Sequence, residues 1–418
     1  MLFSTSTPAS CMRDRAPGLG LRPGLIAAAA VLLLSTISGL HAQSDPAEVR
    51  ALWILRATLS SPTSIATMVD AARDGGFNTL LVQVPAPGEA SSSGPALGLQ
   101  SSFDPLSEVI ARAHETGLRV HASVDITRVS SAVELPPSRD HVIYRHPEWL
   151  MVPRALAPDL VKVDSKSPEF LGRLTRYARS QPAGADAVYL SPASPGAIEY
   201  TAGAVRELLS RYPLDGIHFD DARYPGSDFD YGRDALSAFR RSVVDGLSSA
   251  DQTKYDRQLA VEPLIYTEAF PDHWRAFRAG QLTTLVARLR DTVSTVRPGV
   301  VVSATVLPDP EQALASRFQD WRAWLGRGLI DVVAPMLSTV VPSAFAADVA
   351  SVRGAAGGHP TWAAIGATGL SETEIVASVK AARRLGAGGV ILFSYDGLTG
   401  PSRGTEYLAQ VGRAAFTQ

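Results

Sequence analysis

The densest concentration of reactive side chains is Asp215-Gly-Ile-His-Phe-Asp-Asp221, followed at once by Ala-Arg223-Tyr224-Pro225. A short apolar run that ends in ionisable groups reads as a buried strand delivering its last side chains to a working surface. Alternation puts residues 216, 218 and 220 on one face of that strand and 217, 219 and 221 on the other. Ile217 and Phe219 suit a face packed against helices, so His218 and Asp220 point the other way. An ionisable pair is costly to bury there without a task or a partner. Asp221 begins the following loop and can still turn over the same site. Paired carboxylates suit glycosidic cleavage, in which one protonates the departing oxygen and the other attacks the anomeric carbon or activates water. The plainer reading, a loop cap beside a core histidine, fits one isolated aspartate better than this cluster.

Other chemistries leave weaker traces. There is no Gly-x-Ser-x-Gly elbow for a serine hydrolase, and no His-x-His or His-Glu-x-x-His pair for a metal centre. The single cysteine, Cys11, precedes the apolar N-terminal run, so no thiol is expected to serve as nucleophile or zinc ligand. The expectation is an enzyme with no cofactor and no catalytic metal.

Such a strand end needs a frame. From residue 48 onward the chain repeats an aliphatic run, a polar turn and an amphipathic segment ending near glycine, the pattern of βαβ units around a parallel sheet. Eight strands are predicted: Val49 to Ile54, Asn78 to Val84, Leu118 to Val124, Leu214 to Phe219, Gly299 to Val306, Ile330 to Met336, Thr361 to Ile365 and Gly389 to Phe393. Eight strands with helices between them imply an α/β fold, a single (β/α)8 TIM barrel. The stretches 125 to 193 and 222 to 275 exceed ordinary connections, so long functional loops are expected after strands three and four.

In such a barrel the acting side chains stand at the carboxyl ends of the strands. Those ends offer His121 and Asp125, then His218, Asp220, Asp221 and Arg223, and finally Tyr395 and Asp396. Asp220, Asp221 and Asp125 are the catalytic candidates. His121, His218, Arg223 and Asp396 are expected to bind substrate, with Trp149, Tyr224 and Tyr395 as rings on which sugars stack. The general acid is open among Asp125, Glu89, Asp309 and Asp396. Trp321 and Trp324, three apart on a predicted helix, read as outer packing.

Composition agrees with a large folded enzyme. The 418 residues are 45% hydrophobic and 19% charged, with a net charge of -2, which provides no basic field for nucleic acid. Residues 1 to 42 read as a cleavable signal peptide: Arg13, Arg15 and Arg22 precede the apolar run Leu25 to Leu34, too short to span a bilayer comfortably, and Leu40-His-Ala42 offers a cleavage site. Removing those residues takes away three arginines and Asp14, leaving 36 basic and 40 acidic residues and a net charge of -4. The remaining chain, 43 to 418, is expected to be one barrel domain with no membrane span, periplasmic or secreted.

With these residues in place the chain resembles the glycosyl hydrolase-like ten family. The matching segments are Glu48-Val-Arg-Ala-Leu-Trp53, Gly76-Phe-Asn-Thr-Leu80, Phe103-Asp-Pro-Leu106, Gly117-Leu-Arg-Val-His-Ala122, Tyr189-Leu-Ser-Pro192, Asp215 to Pro225, Asp320-Trp-Arg-Ala-Trp-Leu325 with Ile330-Asp331, and Phe393-Ser-Tyr395. The strand-four stretch is also similar to that of α-amylase-like barrels, in which the aspartate matching Asp220 is the nucleophile. The resemblance implies a hydrolase of cell-envelope or extracellular glycans related to bacterial peptidoglycan glycan-strand hydrolases. It puts Asp220 first as essential carboxylate and Asp221 second.

Overall fold

The structure, a computed structural model, describes residues 48–85, 103–181, 187–339, 341–400 and 403–416. The expected signal peptide and Glu89 lie outside these residues. Ten strands follow in chain order: β1 (Val49–Ile54), β2 (Thr79–Gln83), β3 (Arg119–Asp125), β4 (Arg128–Ser131), β5 (Ala187–Tyr189), β6 (Gly216–Asp220), β7 (Val301–Val306), β8 (Val332–Leu337), β9 (Trp362–Gly366) and β10 (Gly389–Phe393). Eight of them close into a barrel in the order β1-β2-β3-β6-β7-β8-β9-β10, with β10 returning to β1, and every barrel pairing is parallel. The expected TIM barrel is what forms. β4 and β5 make a separate antiparallel ribbon.

Alternation along the strands sorts two cores. Val120, Ala122, Val124, Ile217 and Phe219 face the helices, where they join the largest apolar cluster. Ala51, Trp53, Leu81, Ala334, Trp362 and Ile391 face the lumen. The helices start where local chemistry dictates. Ser61 caps Pro62–Asp74 through a reciprocal bond with Ser64, and Asp104 accepts from the Ser107 N–H at the head of Pro105–Glu115. A last helix, Gly404–Phe416, follows β10 and packs between Pro62–Asp74 and Glu372–Arg384. Its Gly412 lies so close to the Gly75 carbonyl that a β-carbon would stand 2.0 Å from that oxygen.

The two excursions differ from a loop reading. Residues 222 to 275 carry the helices Arg233–Val244, Ser249–Leu259 and Ile265–Ala269 and the start of Pro271–Val296. These pack with the 125 to 193 stretch in a second apolar cluster that includes Leu150, Phe170, Tyr231, Phe239 and Trp274. The excursions therefore make a satellite core beside the barrel. Trp321 and Trp324 are wholly buried on the outer side, and the Trp324 indole N–H donates to Thr283 Oγ1 at 2.9 Å.

Candidate active site

The acid cluster forms where β3 and β6 end side by side. Asp125 and Asp220 are register partners on these neighbouring strands, both half-buried, and the Ile126 N–H donates to the Asp220 carbonyl at 3.0 Å. Adjacent strands lie about 4.8 Å apart, so two inward carboxyls at one level share a single small volume. Asp220 Oδ1 accepts from the Asp221 N–H at 2.9 Å.

Asp221 has φ 43°, a left-handed conformation that a non-glycine residue adopts only at a cost of about 1–3 kcal/mol unless its surroundings enforce it. Thr127 enforces it: its hydroxyl donates to the carbonyls of Asp221 at 2.7 Å and Arg223 at 3.0 Å, tying the turn to the segment after β3. The result folds Arg223 back so that its guanidinium meets Asp221 Oδ1 at 3.0 Å. The same guanidinium approaches Met336 Sδ at the end of β8, 3.9 Å away. Burial and the neighbouring Asp220 charge push the Asp221 carboxyl above the usual range, outweighing the downward pull of Arg223 and Arg128. Asp221 therefore keeps its proton to higher pH than an ordinary aspartate.

Beneath them His218 is wholly enclosed, as alternation requires. Its Nδ1 lies 2.8 Å from Ser303 Oγ and its Nε2 2.7 Å from Thr305 Oγ1, both on β7, and burial lowers its pKa to about 3. The ring is therefore neutral, with both nitrogens occupied. His121 lies one layer deeper, 2% exposed, and burial followed by the Arg119 charge lowers it to about 3 as well. Gly216 makes room for it, since a β-carbon there would stand 2.3 Å from His121 Nδ1. Both histidines belong to the lumen packing, beyond direct reach of a ligand at the mouth. Among the described residues no three His, Cys, Asp or Glu side chains group as metal ligands.

Of the three expected sugar platforms, two are packed into cores and the third stays at the end of β10 but is largely covered. Tyr224 is wholly buried, edge-on to Phe318 at 5.1 Å. The turn at Asp221 carries it inward, under the loop that the sequence pattern left exposed. Trp149 stacks on His146 at 3.7 Å, against Gly196, as part of the satellite packing. Tyr395 is 8% exposed at the head of a short helix after β10. Two acid candidates are likewise engaged. Asp309 caps Pro310–Arg317, accepting from the N–H groups of Glu311 and Gln312 at 2.8 and 2.9 Å. Asp396 accepts from the Leu55 N–H at 3.2 Å and from the Thr58 hydroxyl, joining the loops after β1 and β10.

Other residues surround the acids instead. Trp53 contacts the edge of His218 at 5.3 Å and Phe393 at 5.4 Å, and Phe393 is 40% exposed at the mouth. These two rings form an aromatic floor near the ends of β1 and β10, which the sequence analysis did not single out. Tyr189, the last residue of β5, is pushed up to about 12 by burial and by the Asp221 charge. Its distance in sequence from Asp221 left no local signal.

A closed eight-stranded parallel barrel with carboxylates and aromatic rings at its carboxyl-terminal mouth defines a glycoside-hydrolase-type barrel. The chain belongs to the Glycosyl hydrolase-like 10 family, whose profile matches residues 48–383. It is 23% identical over 338 residues to the glycosyl hydrolase YngK of Bacillus subtilis, covering 71% of this chain and 55% of that one. To the glycosyl hydrolase DigH of Escherichia coli K12 it is 24% identical over 314 residues, covering 67% and 60%. The chain thus spans less than two thirds of the length of these curated relatives. Among solved structures, the PgaB (BpsB) glycoside hydrolase domain from Bordetella bronchiseptica superposes with a TM-score of 0.61 at 17% identity, over 89% of this chain and all of that one. The catalytic domain of β-amylase from Paenibacillus polymyxa gives 0.58 at 14% identity, over 89% and 98%. These likenesses establish the fold.

Proposed function

We propose that the chain is an exported glycoside hydrolase that cleaves O-glycosidic bonds in a cell-envelope or extracellular glycan, with peptidoglycan strands the first polymer to test. The observation that carries this reading is the pairing of Asp125 with Asp220 at the strand ends, with Asp221 next in the chain and its carboxyl held above the usual aspartate range by burial and by the Asp220 charge. Asp221 gives its proton to the departing oxygen. Asp220 attacks the anomeric carbon or draws the proton from an attacking water, and Asp125 stands beside it to share the developing charge. Family membership supports the reaction class, and the N-terminal pattern of residues 1 to 42 supports export.

Release of reducing ends from purified peptidoglycan, with and without its stem peptides, and from neutral polysaccharides tests the reading against Asp220→Asn. Activity on one polymer that collapses in the variant sustains it. Glycan binding without cleavage, indifferent to Asp220→Asn, replaces it with a carbohydrate-binding barrel. Activity lost to a chelator and restored by metal replaces it with a metal-dependent hydrolase of the same polymer.

A further inference from the structure

Past their last register pair, Phe219 with Ala304, β6 and β7 are joined through a side chain. Gln319, 1% exposed, reaches between them from the segment that follows Pro310–Arg317. Its Nε2 donates to the carbonyls of Ala222 and Thr305, each at 3.0 Å, and its Oε1 accepts from the Leu307 N–H at 2.9 Å. One buried amide thus bridges the two strands beyond the end of their ladder, with both of its donors and its acceptor engaged.

The backbone delivers Gln319 there by a sharp turn. Phe318 has φ 55°, and the N–H groups of Phe318 and Gln319 close the helix by donating to the Leu314 and Ala313 carbonyls, each at 3.1 Å. Among the described residues, Asp221 and Phe318 are the two non-glycine residues with left-handed backbone, and their segments grip each other. The Arg317 carbonyl accepts from the Tyr224 N–H at 3.1 Å, the Phe318 ring meets the Tyr224 ring edge-on, and Gln319 holds Ala222.

Thr127 grips the same turn from the other side. The carbonyls of Asp221, Ala222 and Arg223 therefore all accept from wholly enclosed side chains. Thr127 is itself anchored, since its carbonyl accepts from the Leu190 N–H at 2.7 Å. Losing either side-chain donor leaves a buried carbonyl unpaired, a penalty comparable with that of a left-handed non-glycine residue. The turn then gains by relaxing, and a change of φ at Asp221 re-aims its carboxyl.

We propose that Gln319 and Thr127 are positioning residues for Asp221, fixing the direction from which its carboxyl meets the departing oxygen. The inference rests on the glycosidase reading, in which Asp221 is the acid, and names what aims it. Both residues act through the backbone of the turn and are enclosed away from substrate.

The leaving group separates lost aim from general loss of structure. Cleavage of peptidoglycan strands expels a sugar oxygen that needs a proton, whereas a dinitrophenyl glycoside of a disaccharide prepared from those strands expels a phenolate that departs without one. Both are assayed with the full chain as kcat/KM, which reports the step that releases the leaving group. Gln319→Met and Thr127→Val should each lower strand cleavage about a hundredfold and leave cleavage of the dinitrophenyl glycoside nearly unchanged. Asp221→Asn, the reference for a missing acid, should show the same pattern, and Thr127→Ser, which keeps the hydroxyl, should retain strand cleavage. Circular dichroism establishes that each variant is folded; if Gln319→Met is not, the Thr127 pair decides. Equal losses on both substrates in the folded variants, or no loss on either, overturn the inference while the Asp221→Asn pattern leaves the glycosidase reading standing. If Asp221→Asn itself loses both equally, the acid assignment and this inference fall together; if the wild type cleaves neither substrate, the glycosidase reading falls as well.

Discussion

The two lumen histidines make acid sensitivity a quantitative consequence of the barrel interior. His121 and His218 titrate at about 3 in the folded chain and near 6.5 when unfolded. Between those values the unfolded chain binds protons that the folded one refuses. Stability is therefore unaffected by these groups above the unfolded pKa, and it falls as pH falls through the window toward 3. Going from about pH 7.5 to about pH 5, each histidine should cost roughly 2 kcal/mol, and the pair roughly 4 kcal/mol. His121→Leu separates this term from other titrations. It removes one proton site together with a buried Nδ1 that has no hydrogen-bond partner, so its cost at neutral pH should be small. Urea unfolding followed by tryptophan fluorescence at both pH values gives the difference directly. Wild type should lose about 2 kcal/mol more than His121→Leu on acidification. Equal losses in the two proteins would refute the assignment of these rings as buried neutral bases.

The remaining predictions concern the site and its supports. Asp220→Asn should reduce glycan cleavage by about a thousandfold or more with unchanged circular dichroism, as removal of an essential carboxylate does; retained turnover would exclude Asp220 from the chemistry. In a kcat/KM profile the alkaline limb should lie above the ordinary aspartate range, because Asp221 loses its proton late, and Arg223→Gln should move that limb further up. An unmoved limb would deny Asp221 the role of acid. Gly216→Ala should destabilise the fold by about 1–3 kcal/mol or more in urea unfolding, since its β-carbon meets the His121 ring and backbone in a central strand cannot retreat. Asp309→Ala should cost about 1 kcal/mol of stability through the lost cap and leave kcat unchanged; a collapse of kcat would return Asp309 to the list of acids.

The barrel was legible because its signals are local. The runs Val49 to Ile54 and Gly389 to Phe393 are strands over the same residues in the fold, and the helix Pro62–Asp74 is bracketed by its cap and by Gly75-Gly76. Alternation in Gly216–Asp220 fixed which side chains enter the lumen. The helices of residues 222 to 275 were not legible. Ser249–Leu259 buries none of its side chains, so the apolar stripe that marks a helix is faint there, whereas Arg233–Val244 carries a clear stripe through Ala235 and Phe239 that was passed over within a stretch read as loop. Tyr224 and Trp149 misled for a related reason: aromatic residues in a loop-like stretch look exposed, yet Tyr224 joins the main barrel core and Trp149 packs against the second one. Arg128 and Tyr189 become partners in the ribbon only through tertiary structure, and no spacing rule joins them.

The parallel pairing of β1 with β10 sets an order of events for a chain made from its N-terminus. The seam joins Val49 through Leu52 to Gly389 through Leu392. Until those last strand residues emerge, β1 has one unpaired edge, and the growing sheet is open along its length. Closure then demands a contact between the two ends of the domain, which makes the final step slow relative to the local helices and hairpins. A chain cut before Gly389 would present two sticky edges in place of a cylinder, so truncation should yield aggregates and not a smaller soluble barrel.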